Sequence, residues 1–322
     1  VYTWVDYNND GVKDLNEFEI AQYVDQASYI RIFTPSNDYV KTYSNELNQG
    51  IFWRPEKIWA KKKGFLGLMA KFSNQTRIRI NQKTSLFDPS TFFNPFANAI
   101  ADTNLLSTGA LIRNALYFNR TSNVINAEYT YQDSKNKSLL ASGFDSKRNK
   151  YHEIFTRWNI IPTFSIELKG QKGAKSAFAD YTTNRNYSFG YQSLLASFIY
   201  QASTNYRLTL DGRIIDKKNE ANLGGETCLL KEIGGSFKYN QTEKGSVQGA
   251  IKAISMGYTG NPNSAVGFEM LESLRPGINY TWNLSYQRTL SKNLQLTIQY
   301  LGRKSEAIRT IHSGSMEVRA YF

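Results

Sequence analysis

Ile278-Asn279-Tyr280-Thr281-Trp282-Asn283-Leu284-Ser285-Tyr286-Gln287 sets an apolar or aromatic side chain at every second position and a polar one between. Successive side chains of an extended chain point to opposite faces, so this stretch reads as a strand with one greasy face and one hydrophilic face. A helix would space its apolar positions three and four apart, which this run does not do. The same period returns on either side. Leu294, Leu296, Ile298 and Tyr300 alternate with Gln295, Thr297 and Gln299. Tyr206, Leu208 and Leu210 alternate with Arg207, Thr209 and Asp211, and Phe164, Ile166 and Leu168 with Ser165, Glu167 and Lys169. Ile125, Ala127, Tyr129 and Tyr131 alternate with Asn126, Glu128, Thr130 and Gln132. The closing residues place Met316, Val318, Ala320 and Phe322 on one face and Ser315, Glu317, Arg319 and Tyr321 on the other.

The connections carry a second regularity. Short turns are expected at Ser73-Asn74, Ser122-Asn123, Ile161-Pro162, Ser203-Thr204-Asn205, Glu243-Lys244-Gly245 and Ser291-Lys292-Asn293. Longer connections are expected between them, at 84–105, 134–147, 171–184, 217–226, 259–274 and 303–309. Short and long connections alternate in bacterial outer-membrane barrels, whose periplasmic turns are short and whose extracellular loops are long. The expected fold is therefore all-β, an antiparallel up-and-down transmembrane β-barrel of roughly 12–14 strands, even in number if the chain closes alone. Segments 27–34 and 54–72 are its weakest strands. Residues 187–200 and 246–256 mix small and large side chains on both faces, the mark of crowded interior contacts or of a face covered by a partner. In a membrane barrel Arg77, Arg79, Lys169 and Arg207 line the lumen and the apolar faces meet lipid. A soluble β-sandwich or barrel would show the same alternation with the apolar face turned inward.

Net charge is +12, with pI about 9.5. The bases are scattered, Lys61-Lys62-Lys63 being the longest run, and no nucleic-acid motif accompanies them, so no nucleic-acid partner is expected. Tyr and Phe number 21 and 19, which suits aromatic girdles at two membrane interfaces. No run approaches the ~18 apolar residues of a transmembrane helix, but barrel strands need only ~9–11 residues with every second one apolar. The single cysteine, Cys228, permits no internal disulfide and reads as an inert thiol. Val1 is not a natural start. The sequence is read as the C-terminal part of a longer chain, with 1–26 as a calcium-binding loop segment and 27–322 as the barrel.

One segment carries chemistry. In Asp6-Tyr7-Asn8-Asn9-Asp10-Gly11-Val12-Lys13-Asp14-Leu15-Asn16-Glu17, side-chain oxygens recur at Asp6, Asn8, Asp10, Asp14 and Glu17, with Gly11 at the sixth position. Ca²⁺ takes six to eight oxygens, a turn-forming glycine at that position and a terminal Glu able to bind through both oxygens. Val12 would add its backbone carbonyl. The expected ligands are thus Asp6, Asn8, Asp10, Val12, Asp14 and Glu17. The flanks depart from a helix–loop–helix, since 1–5 reads as extended and Lys13 stands where an apolar residue is usual. The loop is more similar to dockerin or thrombospondin type-3 calcium loops, and a structural staple is expected. Glu17 and Glu19 are not read as an acid/base pair.

The stretch Tyr2-Thr3-Trp4-Val5-Asp6 through Asn16-Glu17-Phe18-Glu19 resembles a W-x-D-x-N-x-[DN]-G-x-x-[DE]-L-N-E-F-E segment that precedes a barrel-like region in large, uncharacterised outer-membrane proteins of Bacteroidota. Leu274-Arg275-Pro276-Gly277-Ile278-Asn279, Gly302-Arg303-Lys304-Ser305 and Ile311-His312-Ser313-Gly314 are similar too. A last strand ending on an aromatic resembles the closing strand of Gram-negative barrels. The resemblance implies residence in the outer membrane of a Gram-negative bacterium. It implies contact with membrane lipid and lipopolysaccharide, and a porin-like role in transport or as a subunit of an envelope protein complex; it brings no catalytic residues. Two alternatives stand beside it. One is a lipid-active outer-membrane enzyme working through His152 or His312. The other is a secreted soluble calcium-binding β protein. Strand neighbours point to opposite faces, so His312 and Ser313 cannot act as a pair, and no enzyme activity is expected. The apolar patch from Phe87 to Ala101 and a short helix near Phe268–Glu272 read as a plug, a folded-in loop or a partner surface.

Overall fold

The computed structural model describes residues 1–8, 10–32, 39–87, 104–140, 143–241, 244–306 and 308–321. The period-two segments form thirteen strands: β3 (Tyr43–Trp53), β4 (Phe72–Thr84), β5 (Leu105–Phe118), β6 (Ile125–Leu140), β7 (Gly143–Ile161), β8 (Phe164–Ala179), β9 (Tyr187–Ser203), β10 (Tyr206–Asn219), β11 (Thr227–Gln241), β12 (Gly245–Thr259), β13 (Gly277–Ser291), β14 (Leu294–Ser305) and β15 (Ile311–Ala320). Each pairs antiparallel with its sequence neighbours, giving one up-and-down sheet in the order β3 to β15. Among the described residues the strand count of the sheet is thirteen, within the expected 12–14 and odd rather than even. Among the described residues β3 and β15 do not pair with each other, so each leaves one edge of ladder groups open. A separate small hairpin, β1 (Tyr2–Trp4) and β2 (Phe18–Ile20), precedes the sheet.

Several expected boundaries move. Residues 54–72 are not a strand but hold two short helices, α1 (Glu56–Trp59) and α2 (Phe65–Met69). Pro55 opens the first, where a missing N–H costs nothing, and the segment is rich in Lys, Leu, Met and Ala rather than β-branched residues. Residues 27–32 form no strand either: Tyr29 makes a single bridge to Tyr2, donating at 3.0 Å and accepting at 2.7 Å. Ser73-Asn74 is no turn, because β4 runs straight through it. The expected loop 134–147 is mostly strand, for β6 and β7 stay in register as far as Leu140 opposite Gly143. Residues 171–179 of the expected loop 171–184 are likewise strand, the end of β8. From β7 onward short and long connections alternate as expected, whereas before it 54–71 forms a long connection on the side of the short turns and only 141–142 separates β6 from β7.

Register fixes which side chains share a face. Tyr151, Gly173, Tyr191, Lys217, Cys228 and Tyr258 stand opposite one another in turn from β7 to β12. Continued through Gln132 and Arg113, the row reaches Arg77, so the bases expected to line the interior share one face. From β7 to β13 this inner face is covered while the outer, largely apolar face is open; on β4 the order reverses, with Arg77 and Arg79 exposed and Ile80 buried. Glu232 is 7% and Lys217 6% exposed, whereas their outward neighbours Ile233 and Ile214 are 61% and 51% exposed. An isoleucine left in water forgoes about 1.5–3 kcal/mol of transfer free energy, so the arrangement is inside out for an aqueous protein.

The β12–β13 connection supplies the inner packing. Ser264 caps α3 (Ala265–Met270), its Oγ accepting from the Gly267 N–H at 3.0 Å. Val266, Met270, Leu271 and Leu274 then pack on Phe189 and Tyr191 of β9, Ile215 of β10, Cys228 and Leu230 of β11, and Ile254 and Met256 of β12. The irregular patterns of 187–200 and 246–256 have their cause here, because those strands carry large apolar side chains inward to meet α3. Cys228 is buried, its thiol 3.6 Å from the Met270 carbonyl. The short helix expected near 268–272 is thus a folded-in loop.

Candidate functional site: the interior network and the loop at its rim

Two inward bases of β10 flank Ile215, and the carboxylate of Glu272 reaches both. Arg213 donates to Glu272 Oε2 at 3.0 Å and to Glu232 Oε2 at 2.8 Å. Lys217 donates to Glu272 Oε1 at 3.0 Å and to the Met270 carbonyl at 2.7 Å. Lys252 completes the chain at 2.8 Å from Glu232 Oε1. Burial pushes the Glu272 carboxyl up, but Lys217 and Arg213 more than offset this and leave it below the usual carboxylate range. Elsewhere on the inner face Lys169 meets Glu153 at 2.9 Å and Lys175 meets Glu269 of α3 at 2.8 Å. Buried charges persist when paired in this way. The network joins residues far apart in the sequence and was not among the expected sites. Its signal was the inward phase of Arg213 and Lys217, with Glu272 placed just after the short helix.

The N-terminal segment lies against the same face at the end with the longer connections. Tyr23 packs on the α3 cluster, Asp25 accepts from Arg303 at 2.5 Å, and Glu19 pairs with Arg185. Tyr7 donates to Glu19 at 2.8 Å. Burial first, and then that carboxylate, pushes the Tyr7 phenol well above its ordinary range, so it remains a donor. Two clefts stay open beside the segment. One of about 330 Å³ lies among Tyr23, Asp25, Arg213, Lys252, Glu272 and Arg303. The other, about 720 Å³, lies against Phe144, Lys147, Phe178 and Arg185.

The Asp6–Glu17 segment adopts the turn its sequence asks for. Gly11 has φ +74°, and its N–H donates to Asp6 Oδ2 at 3.0 Å. Asp10 Oδ1 accepts from Val12 N at 2.6 Å, and Asn8 Oδ1 from Asp10 N at 3.1 Å. Asp6 Oδ1 is buried without a hydrogen-bond partner. The terminal Glu17 is 1% exposed and engaged with other donors: Trp4 Nε1 at 2.8 Å, Tyr7 N at 3.3 Å and Asp14 N at 3.4 Å. Among the described residues no three His, Cys, Asp or Glu side chains gather as a metal-binding group. The loop thus has the turn and donor types of a calcium site, with its last carboxylate turned to the Trp4 indole.

Both histidines face outward. His152 Nδ1 is 2.7 Å from the Tyr129 hydroxyl, and His312 Nδ1 is 2.7 Å from that of Tyr300. Asn149 and Ser313 lie on the opposite face from their respective histidines by strand alternation. Trp282 lies over Gly302, where an added Cβ would fall 2.2 Å from the ring, and beside His312 at 6.0 Å. Most of the Phe87–Ala101 patch, with Phe92, Phe93 and Phe96, and the terminal Phe322 lie outside the described residues.

No family model and no curated protein matches the chain. Among solved structures it is similar to the crystal structure of the beta domain of the Bordetella autotransporter BrkA. The match covers 78% of this chain and 92% of that one, at 11% identity and a TM-score of 0.31.

Proposed function

We propose that the chain forms the membrane-spanning wall of an outer-membrane β-barrel protein of a Gram-negative bacterium. It serves passage through the envelope, as a channel or transporter, or acts as scaffold in an envelope complex. The observation that carries this reading is the inverted polarity of the wall from β7 to β13, where charged side chains such as Lys217 and Glu232 are covered and Ile214 and Ile233 are bare. Hydrocarbon satisfies that outer face and water does not. The Bacteroidota-like segment at 2–19 agrees with it. A soluble calcium-binding protein would leave the outer isoleucines without a solvent. Lipid hydrolysis is the weaker reading because Asn149 and Ser313, the residues that would act with His152 and His312, lie on the opposite faces of their strands. The test is reconstitution into vesicles and planar bilayers. Stable insertion with anion-selective reversal potentials supports a channel, insertion without conductance supports a scaffold, and dispersion in buffer without detergent refutes both.

We further assign Asp6, Asn8, Asp10, Val12, Asp14 and Glu17 to one Ca²⁺ that staples the rim hairpin. The turn at Gly11 and the unpartnered Asp6 Oδ1 support it. Binding requires Glu17 to exchange its contact with Trp4 for the cation, which makes Trp4 emission the reporter.

A further inference from the structure

The outward face of β6–β8 changes character along its length. Near mid-strand it carries Tyr129, Tyr131, His152, Ile154 and Leu168. Level with His152 it also carries Lys172, and beyond, toward the β6–β7 connection, Lys150, Lys135 and Arg148. Register makes these neighbours: Lys135 stands opposite Arg148, Lys150 opposite Asp133, and Lys172 opposite His152. All four bases are exposed. Asp133 is the one carboxylate on this face of the three strands among the described residues, and Arg148 holds it through bonds of 2.9 and 2.5 Å. Lys150 Nζ lies 5.9 Å from the centre of the Tyr131 ring. With Lys137, which lies on the same face with its Nζ 4.3 Å from the centre of the Phe144 ring, five cations thus share the surface with one anion, whereas the bases of the inner network each face an acid.

We propose that this surface binds the phosphorylated headgroup of an outer-leaflet lipid of the lipid A class, the phosphates resting on Lys135, Arg148, Lys150 and Lys172. The proposal rests on the membrane reading above. Height supports it. The bases lie up to four residues beyond the Tyr131–His152 level, which at ~3.3 Å per residue and a ~40° tilt is up to about 10 Å. A bilayer's polar layer is about 5–8 Å thick on each side of the hydrocarbon. Aromatic rings at the interface with cations just above them therefore place the charges at phosphate depth, while acyl chains lie along Tyr129, Ile154 and Leu168. Arg148 adds fork geometry suited to phosphate oxygens.

The experiment reconstitutes the whole chain in vesicles containing bisphosphorylated lipid A and measures lipid retained on the detergent-purified protein by mass spectrometry. The comparison is with Lys135→Gln/Arg148→Gln/Lys150→Gln/Lys172→Gln, and with Lys218→Gln/Lys231→Gln, two exposed outward bases away from the patch. The proposal expects at least a roughly tenfold loss of retained lipid in the first variant, none in the second, and no retention of dephosphorylated lipid A by the unaltered chain. Equal retention by the first variant, with insertion intact, overturns the site alone. So does an equal loss in the second variant, which would mark bulk charge rather than a site. Failure of the unaltered chain to insert overturns the membrane reading and the site together.

Discussion

Glu272 and Ser273 have φ of +52° and +60°, a conformation that costs an L-residue about 1–2 kcal/mol. The backbone bends this way because α3 must end facing the sheet, and the Glu272 carboxylate then lands between Arg213 and Lys217. Its folded-state value is depressed below its ordinary value of 4.5, so the stability it confers is complete above about pH 4.5 and is lost as pH falls through the lower folded value. Heat-modified migration in detergent should therefore show the midpoint dropping below about pH 4.5, and Glu272→Gln should flatten that decline. At neutral pH the same substitution leaves Lys217 uncompensated and should cost about 3 kcal/mol. Glu17 offers a second test at this scale. Adding Ca²⁺ should shift Trp4 emission and raise the midpoint, with chelator reversing both, and Glu17→Gln should abolish the calcium response. A midpoint and a spectrum indifferent to Ca²⁺ would remove the staple.

At the scale of the element, legibility tracked how strongly a segment's two faces differ. Residues 278–287 are readable because one face is entirely apolar or aromatic and the other entirely polar. The β6–β7 hairpin beyond residue 134 is not, because both faces there are polar and periodicity carries no signal once neither side is greasy. Residues 54–72 misled for the opposite reason, being apolar enough for a strand while holding helix formers around Gly64. The calcium-like turn was readable from spacing, yet the Trp4–Glu17 bond was not, since it joins residues thirteen apart through a hairpin. The two-faced strand makes its own prediction. Ile233→Lys on the outer face of β11 should lower folding stability in vesicles by about 2–4 kcal/mol if that position lies near the bilayer midplane. In a water-soluble protein the same change at a 61% exposed site would be close to neutral, so a urea titration in vesicles distinguishes the two.

Among its described residues the molecule is a wall of thirteen strands with its own chain folded against the inner face from two directions, α3 from the β12–β13 connection and the N-terminal segment from before β3. The two differ in attachment. α3 is bound by a continuous apolar cluster as well as ion pairs, and truncating a core methionine such as Met270 costs about 2–5 kcal/mol. The N-terminal segment is held by Tyr23 and by two polar latches, Asp25 to Arg303 and Glu19 to Arg185 with Tyr7. Both latches join side chains only 13–23% exposed, so salt screens them little, and removing one partner leaves the other charge poorly compensated. If the protein conducts, the N-terminal segment is the part that moves and α3 is the part that stays. Asp25→Asn/Glu19→Gln should then raise single-channel conductance or open probability in planar bilayers. The freed Arg303 and Arg185 should also bias the reversal potential further toward anions. A variant that folds and inserts but conducts no more than the parent, at any salt concentration, would show that the segment does not gate a pore and leave the scaffold role as the better reading.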